Sequence, residues 1–343
     1  MTIKNRRWRV WLLGIAVSML SIWFIVKQVD FALFGQAWAQ ARYLYIIPTV
    51  VFLLLGLITR AFRWRVLLSG ALPLPRAFSM MNVAYLVNGV LPLRLGEVVR
   101  VFLATRVNPP VPWPKTTGTI IVERLLDLIA VTVLLALALI VGDVPPELRS
   151  AGIFTGVSAV IGLFVLALLA ANHARVLRYA ELITERLPIL ARFRLVQLIG
   201  HLLAGLKPLS DIPAVTQAII WTVISWALSV CAGYVLMFTF YEQASWSATA
   251  LYIAAAAFAI ALPAVPGNVG TYEAAILLAL AALGYDTSSG TALAFAVLVH
   301  GINVLVHSAT GFIGLLQEGI SLNQLSRGVQ EMRQQTSQDS VSV

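Results

Sequence analysis

Charge is scarce in this chain. Of its 343 residues only 11% are Asp, Glu, Lys or Arg, while 59% are apolar and the mean hydropathy is +0.87; an ordinary soluble domain carries about a quarter charged residues. So little polar surface cannot cover a water-soluble globule, and the composition excludes a disordered chain and a nucleic-acid binding module alike. Cysteine is nearly absent too. The single Cys231 lies inside an apolar run, which excludes a disulfide framework and any CxxC metal site; it reads as a small hydrophobe facing lipid or packed inside. No GxxxxGK[ST] occurs, so neither a nucleotide cofactor nor ATP drive within this chain is expected. Acidic residues are the rarer sign, 15 against 24 Lys and Arg, for a net charge of +9. In a soluble protein that excess would indicate a polyanion partner. In a chain this apolar it indicates a bilayer, because Lys and Arg concentrate in cytoplasmic loops.

A spanning helix needs roughly 20 mostly apolar residues. Six stretches meet or approach that: 10–26, 43–59, 116–142, 150–172, 212–241, and one within 287–317 that has no Asp, Glu, Lys or Arg. The third is interrupted by Glu123, Arg124 and Asp127. The first is too long for a signal peptide and lacks a small-residue cleavage site, so it is expected to be a retained span. Two further stretches break. Residues 77–93 run into Leu91-Pro92, then Arg94, Gly96 and Glu97, and residues 245–264 run into Leu262-Pro263, then Pro266-Gly267-Asn268-Val269-Gly270. A shorter apolar piece follows each. Proline removes a helical hydrogen bond at each junction, and irregular backbone at membrane depth survives only where it is buried in protein or lines a wet cavity. The expected fold is therefore an all-α polytopic membrane protein with about six spanning helices plus two re-entrant helical hairpins.

Charge placement orients that topology. With both termini cytoplasmic in an inner membrane, 18 of the 24 basic residues fall inside, the 60–76 loop with Arg60 and Arg63 among them, and only Lys27, Arg42 and Arg149 fall outside. The first hairpin then enters from the cytoplasm and the second from outside, the pattern of an inverted repeat. Residues 1–320 read as one membrane domain, with an amphipathic basic segment at 174–211 expected on the anionic inner leaflet and a polar, disordered tail at 321–343. Trp8, Trp11, Trp64, Trp113, Trp221 and Trp246 are expected in interfacial belts.

Ionisable groups at membrane depth are costly and mark sites. Around the first break, Arg94 and Arg100 offer a cationic site for an anionic head group, with Glu97 pairing Arg100 at i,i+3 as counter-ion or proton carrier; a structural ion pair locking the hairpin tip is the other reading. Glu123, Arg124 and Asp127 form a cluster that reads equally as a clasp against the first hairpin or as a relay. At the second break, a glycine-rich turn opens a helix whose N–H groups suit an anion, capped by Thr271 or satisfied by Glu273 itself. His300, Asn303 and His307 share one helical face, as hydrogen-bonded packing or as lining of a path. Two histidines two turns apart do not make a metal site, so no metal is expected.

The run Asn88-Gly89-Val90-Leu91-Pro92-Leu93-Arg94-Leu95-Gly96-Glu97, the Glu123-Arg124-Leu125-Leu126-Asp127 motif and the Pro266-Gly267-Asn268-Val269-Gly270-Thr271-Tyr272-Glu273 motif together resemble the lysylphosphatidylglycerol synthase transmembrane, or flippase-like, proteins, with Arg63-Trp64 also fitting. The resemblance spans nearly the whole chain. In fused members this domain looks like a lipid flippase joined to a soluble aminoacyl-transferase domain. Only a short tail follows here, so the resemblance implies lipid translocation without the synthase activity. The expected partner is a membrane phospholipid or lipid-linked substrate, with a homo-oligomer or a lipid-modifying enzyme partner left open. The head-group residues expected from this are Asn88, Arg94, Glu97, Arg100, Gly267, Asn268, Gly270, Tyr272 and Glu273. A non-transporting scaffold for a lipid-modifying complex is the alternative, and a membrane-embedded transferase using Glu123 with Asp127 a further one.

Overall fold

A computed structural model of the chain describes residues 16, 18–23, 25–27, 30–90, 95–141, 146–186, 199, 200, 203, 206, 211–261, 266–288, 290–319 and 324. Among these every regular element is a helix and there is no strand, as expected where backbone groups must be satisfied within their own segment. The helices are α1 (Phe31–Gln40), α2 (Ile46–Leu67), α3 (Leu74–Val90), α4 (Gly96–Thr105), α5 (Trp113–Val141), α6 (Pro146–Ala171), α7 (His173–Arg186), α8 (Ile212–Met237), α9 (Trp246–Ala261), α10 (Thr271–Ala281) and α11 (Thr291–Glu318). Three stretches, Tyr43–Leu67, Ile212–Met237 and Thr291–Glu318, are long and apolar enough to cross a membrane. A fourth candidate, Ser18–Lys27 with Ala32–Gln40, is bent by 89°. Asp30 starts the second half of that bend by accepting the Ala32 and Leu33 N–H groups at 2.8 and 3.3 Å, an N-cap that frees α1 from the direction of the run before it. Helices α5 and α6 have spanning length, 29 and 26 residues.

The helix order repeats. Helices α2, α3, α4 and α5 have 22, 17, 10 and 29 residues, and α8, α9, α10 and α11 have 26, 16, 11 and 28. Equivalent helices α2 and α8 pack along one another in opposite directions: Thr49 Oγ1 donates to the Ala232 carbonyl, Phe62 stacks on Trp221 with ring centroids 4.7 Å apart, and Arg63 reaches Thr222. The other contacts are exchanged between the units, α3 lying on α11 and α9 on α5. The α3–α11 seam is close because small residues line it. A Cβ on Gly314 would stand 2.8 Å from the Ser79 carbonyl oxygen, and one on Gly311 would meet Asn82 backbone. Ser79 Oγ donates to the Gly314 carbonyl and Thr310 Oγ1 to Asn82 Oδ1. Close approach with crossing hydrogen bonds is how helices associate where the surrounding lipid is as apolar as they are.

Both broken stretches fold back on themselves, α4 against α3 and α10 against α9. In the first, Gly96 opens α4 so near the Ala84 carbonyl that a Cβ would overlap it, and Asn88 Oδ1 accepts the Gly96 N–H at 2.7 Å. In the second, a single 3-10 turn at Pro266–Asn268 precedes α10, with φ of 74° at Gly267 and 56° at Asn268. Left-handed φ is easy for glycine and uncommon for asparagine, so the turn is tightly determined by its surroundings. A Cβ on Gly267 would lie 3.6 Å from the Gly89 carbonyl oxygen: the two tips meet at the centre of the molecule.

Candidate functional site

Where the tips meet there is a cavity of about 370 Å³. It lies midway along the long helices, taking Arg124, Asp127 and Val131 from α5, Trp226 from α8, and His300, Asn303, Val304, His307 and Ser308 from α11. Arg60 of α2 and Tyr85 of α3 add a side, and Asn88, Gly89, Gly267 and Asn268 come from the two tips.

One wall is built from ion pairs. Arg63 is 2% exposed and holds Asp127 with both terminal nitrogens, at 2.7 and 3.3 Å, while its Nε faces Glu123 at 3.6 Å. This fork geometry is what a planar guanidinium supplies to a carboxylate. Glu123 also receives Arg100 at 2.6 Å, and the Arg100 guanidinium lies 3.7 Å over the Trp64 ring, whose Nε1 donates to Thr119 Oγ1. Nearer the cavity, Arg124 joins Glu97 at 3.5 Å and Asp127 at 3.8 Å, and Asn88 Nδ2 stands 3.4 and 3.5 Å from the Glu97 oxygens. Asp127 Oδ1 further accepts the Trp226 indole N–H at 3.2 Å. Helices α2, α4 and α5 are thus cross-linked by charge, and for the buried Arg63 and Arg100 pairs with Glu123 the loss of either partner would leave a buried charge uncompensated.

The facing wall has no such pairs. Glu273 Oε2 accepts the Gly270 N–H at 2.7 Å, and Oε1 sits 2.5 Å from His300 Nδ1. The His300 ring stacks on Tyr272, centroids 4.6 Å apart. The α10 N-terminus is therefore closed by its own carboxylate, and Thr271 Oγ1 donates instead to the Asn268 carbonyl. Asn303 Nδ2 donates to the Val299 carbonyl and His307 lies against Tyr85. No group of three His, Cys, Asp or Glu side chains among the described residues could hold a metal ion.

The family description "Lysylphosphatidylglycerol synthase TM region" matches residues 11–311, which include all of this wall and both tips. The chain belongs to the lysylphosphatidylglycerol synthase TM region family. No curated protein and no solved structure matches the chain.

In this family member Asn88, Glu97, Gly267, Asn268 and Tyr272 line the cavity with Arg124, Asp127, His300, Asn303 and His307. Arg94 lies outside the described residues, as do Leu262 and Pro263. Arg100 is turned away into the ion pair with Glu123, so the expected Glu97–Arg100 pair is replaced by Glu97–Arg124. Gly270 and Glu273 are buried behind the lining, with Glu273 closing the helix end. Glu123, 1% exposed, joins α5 to the first hairpin through Arg100, the geometry of a clasp. Two further expectations change. Trp64 is not at an interface; it is fully buried beneath Arg100. Arg60 and Arg63 are not loop residues, because α2 continues to Leu67; hydropathy ended that helix at the first arginine, whereas buried carboxylates on α5 permit it to continue. Arg60, Tyr85, Trp226 and Ser308 went unnoticed as site residues. Arg60 and Arg63 stand one turn apart at the end of a long apolar run, and that spacing was the available signal.

Proposed function

We propose that this protein moves a phospholipid or lipid-linked head group between the leaflets of the membrane that holds it. In this reading the chain has six spans, with α5, α6 and the bent N-terminal pair added to the three apolar ones. The hairpins α3–α4 and α9–α10 enter from opposite faces as an inverted repeat, in an inner membrane with both termini cytoplasmic. The observation that carries it is the cavity midway along the long helices, in which Arg60, Asn88, Glu97, Arg124 and Asp127 stand among apolar side chains and to which Gly89 and Gly267 bring the tips of both hairpins. Such breaks at matching places in two oppositely directed units are where transporters of this build place their substrate. A cavity of about 370 Å³ fits a head group with its acyl chains left outside in lipid.

The test is translocation by the full chain in phosphatidylcholine–phosphatidylglycerol vesicles, followed as dithionite quenching of head-group-labelled phosphatidylglycerol. Wild type is expected to expose label from the inner leaflet, and Ala257→Trp, which fills the cavity from α9, is expected to slow exposure by about tenfold or more. Equal rates in protein-free and wild-type vesicles reject the reading.

A further inference from the structure

The cavity wall has one arginine with no carboxylate within ion-pair distance among the described residues. Arg63, Arg100 and Arg124 share Glu97, Glu123 and Asp127, each with an acid within 4 Å. Arg60 has none. Its Nη2 donates to Ser229 Oγ at 3.4 Å and its guanidinium stands 6.0 Å from the Trp226 ring, both modest contacts. Asp127, the nearest candidate acid on that side, is already taken. Oδ1 accepts Arg63 and Trp226, and Oδ2 faces Arg63 and Arg124. Glu273, on the far side, is occupied by Gly270 and His300. An arginine midway along a bundle normally faces its interior and is paired. Arg60 lines the cavity with no acid in ion-pair contact, which leaves its guanidinium open to an anion that enters the cavity.

We infer that Arg60 is the anion subsite of this cavity and takes a phosphate group, that of a lipid head group if the protein translocates lipid, the proposal on which this assignment rests. The guanidinium fork matches two phosphate oxygens. The three arginines next to it each have an acid within 4 Å, so Arg60 is the guanidinium left to meet the phosphate. Trp226 positions the subsite: its indole N–H is tied to Asp127, and its ring faces the Arg60 guanidinium.

Binding to the purified full chain in maltoside detergent, free of phosphate, tests this by calorimetry with three probes: dihexanoyl phosphatidate, dihexanoylglycerol with the same tails and no phosphate, and inorganic phosphate. Wild type is expected to prefer the phosphatidate over dihexanoylglycerol by about tenfold or more, Arg60→Gln to erase the preference, and Arg60→Lys to retain part of it. If inorganic phosphate displaces the phosphatidate, the bare anion suffices; if it does not, the anion is held together with its lipid chains, and either result keeps Arg60 as the partner. A full phosphatidate preference in Arg60→Gln overturns the assignment. So does a wild type that binds both lipids equally, a result that needs no variant to fold. The vesicle assay separates the two claims. Absent translocation with an intact Arg60-dependent preference removes the transport reading alone, whereas translocation with an unchanged preference in Arg60→Gln removes the subsite alone.

Discussion

The units α2–α5 and α8–α11 share helix order and lengths, yet they use polar residues in opposite ways. The first places Arg60, Arg63, Glu97, Arg100, Glu123, Arg124 and Asp127 on its helices; the second has no Lys or Arg at all between Lys207 and Arg327. In the first, guanidinium–carboxylate pairs tie three helices together across their sides. In the second, one carboxylate satisfies a helix end and an imidazole. The same architecture therefore presents one charged wall and one nearly neutral wall to the shared cavity. Under the proposed function, a head group between them would meet charge on one side only, which a symmetric pair of walls would not provide.

The sharpest way to break that contrast is to remove the hub of the charged wall. Arg63→Ala leaves Glu123 short of one partner and Asp127 without its fork, and it is expected to cost about 3–5 kcal/mol, read as loss of the folded, monodisperse protein or a large drop in the midpoint of thermal unfolding in detergent. A midpoint within a degree of wild type would show that the ion pairs are dispensable.

Glycine separates the hairpins in a second way. Gly96→Ala forces a Cβ into the Ala84 carbonyl, where backbone must move, and is expected to cost about 3 kcal/mol. Next comes the neutral wall: Glu273→Ala unpairs the Gly270 N–H and His300, an expected loss of about 2 kcal/mol. That is less than at Arg63, because a helix-end N–H and one imidazole lose a partner, whereas at Arg63 two carboxylates do. The smallest effect is expected at the second tip. Gly267→Ala meets nothing closer than 3.6 Å and suffers only the left-handed φ, about 1 kcal/mol. If Gly267→Ala destabilised more than Gly96→Ala in denaturant titrations, the first tip would not be the tighter of the two.

Much of the helical framework was legible from composition and periodicity. The apolar runs at 43–59, 150–172, 212–241 and 287–317 fall within or around α2, α6, α8 and α11, and the Pro and Gly punctuation fell between helices that fold back on themselves. Helix ends were less legible. A transfer scale stops α2 where charge begins, but a buried arginine with partners on another helix costs little, and α2 runs on to Leu67. For the same reason Trp64 read as an interfacial residue. Its actual neighbour, Arg100, is 36 positions away in the chain.

The site divides along the same line. The residue types were determined by the sequence: intramembrane acids and arginines, asparagines at a break, and a His–Asn–His stripe, all of which are conspicuous because lipid disfavours them. Their pairing was decided by tertiary structure alone. Spacing on one helix joins Glu97 to Arg100 and Arg124 to Asp127, but only the packing of α2, α4 and α5 joins Arg63 to Asp127 and Arg100 to Glu123. The closest ion pairs, Arg63–Asp127 and Arg100–Glu123, run across helices, and the arginine of this wall with no acid within 4 Å is Arg60. A chain read in one dimension can count charges. Which of them is left over depends on which neighbours three-dimensional packing has already brought within reach.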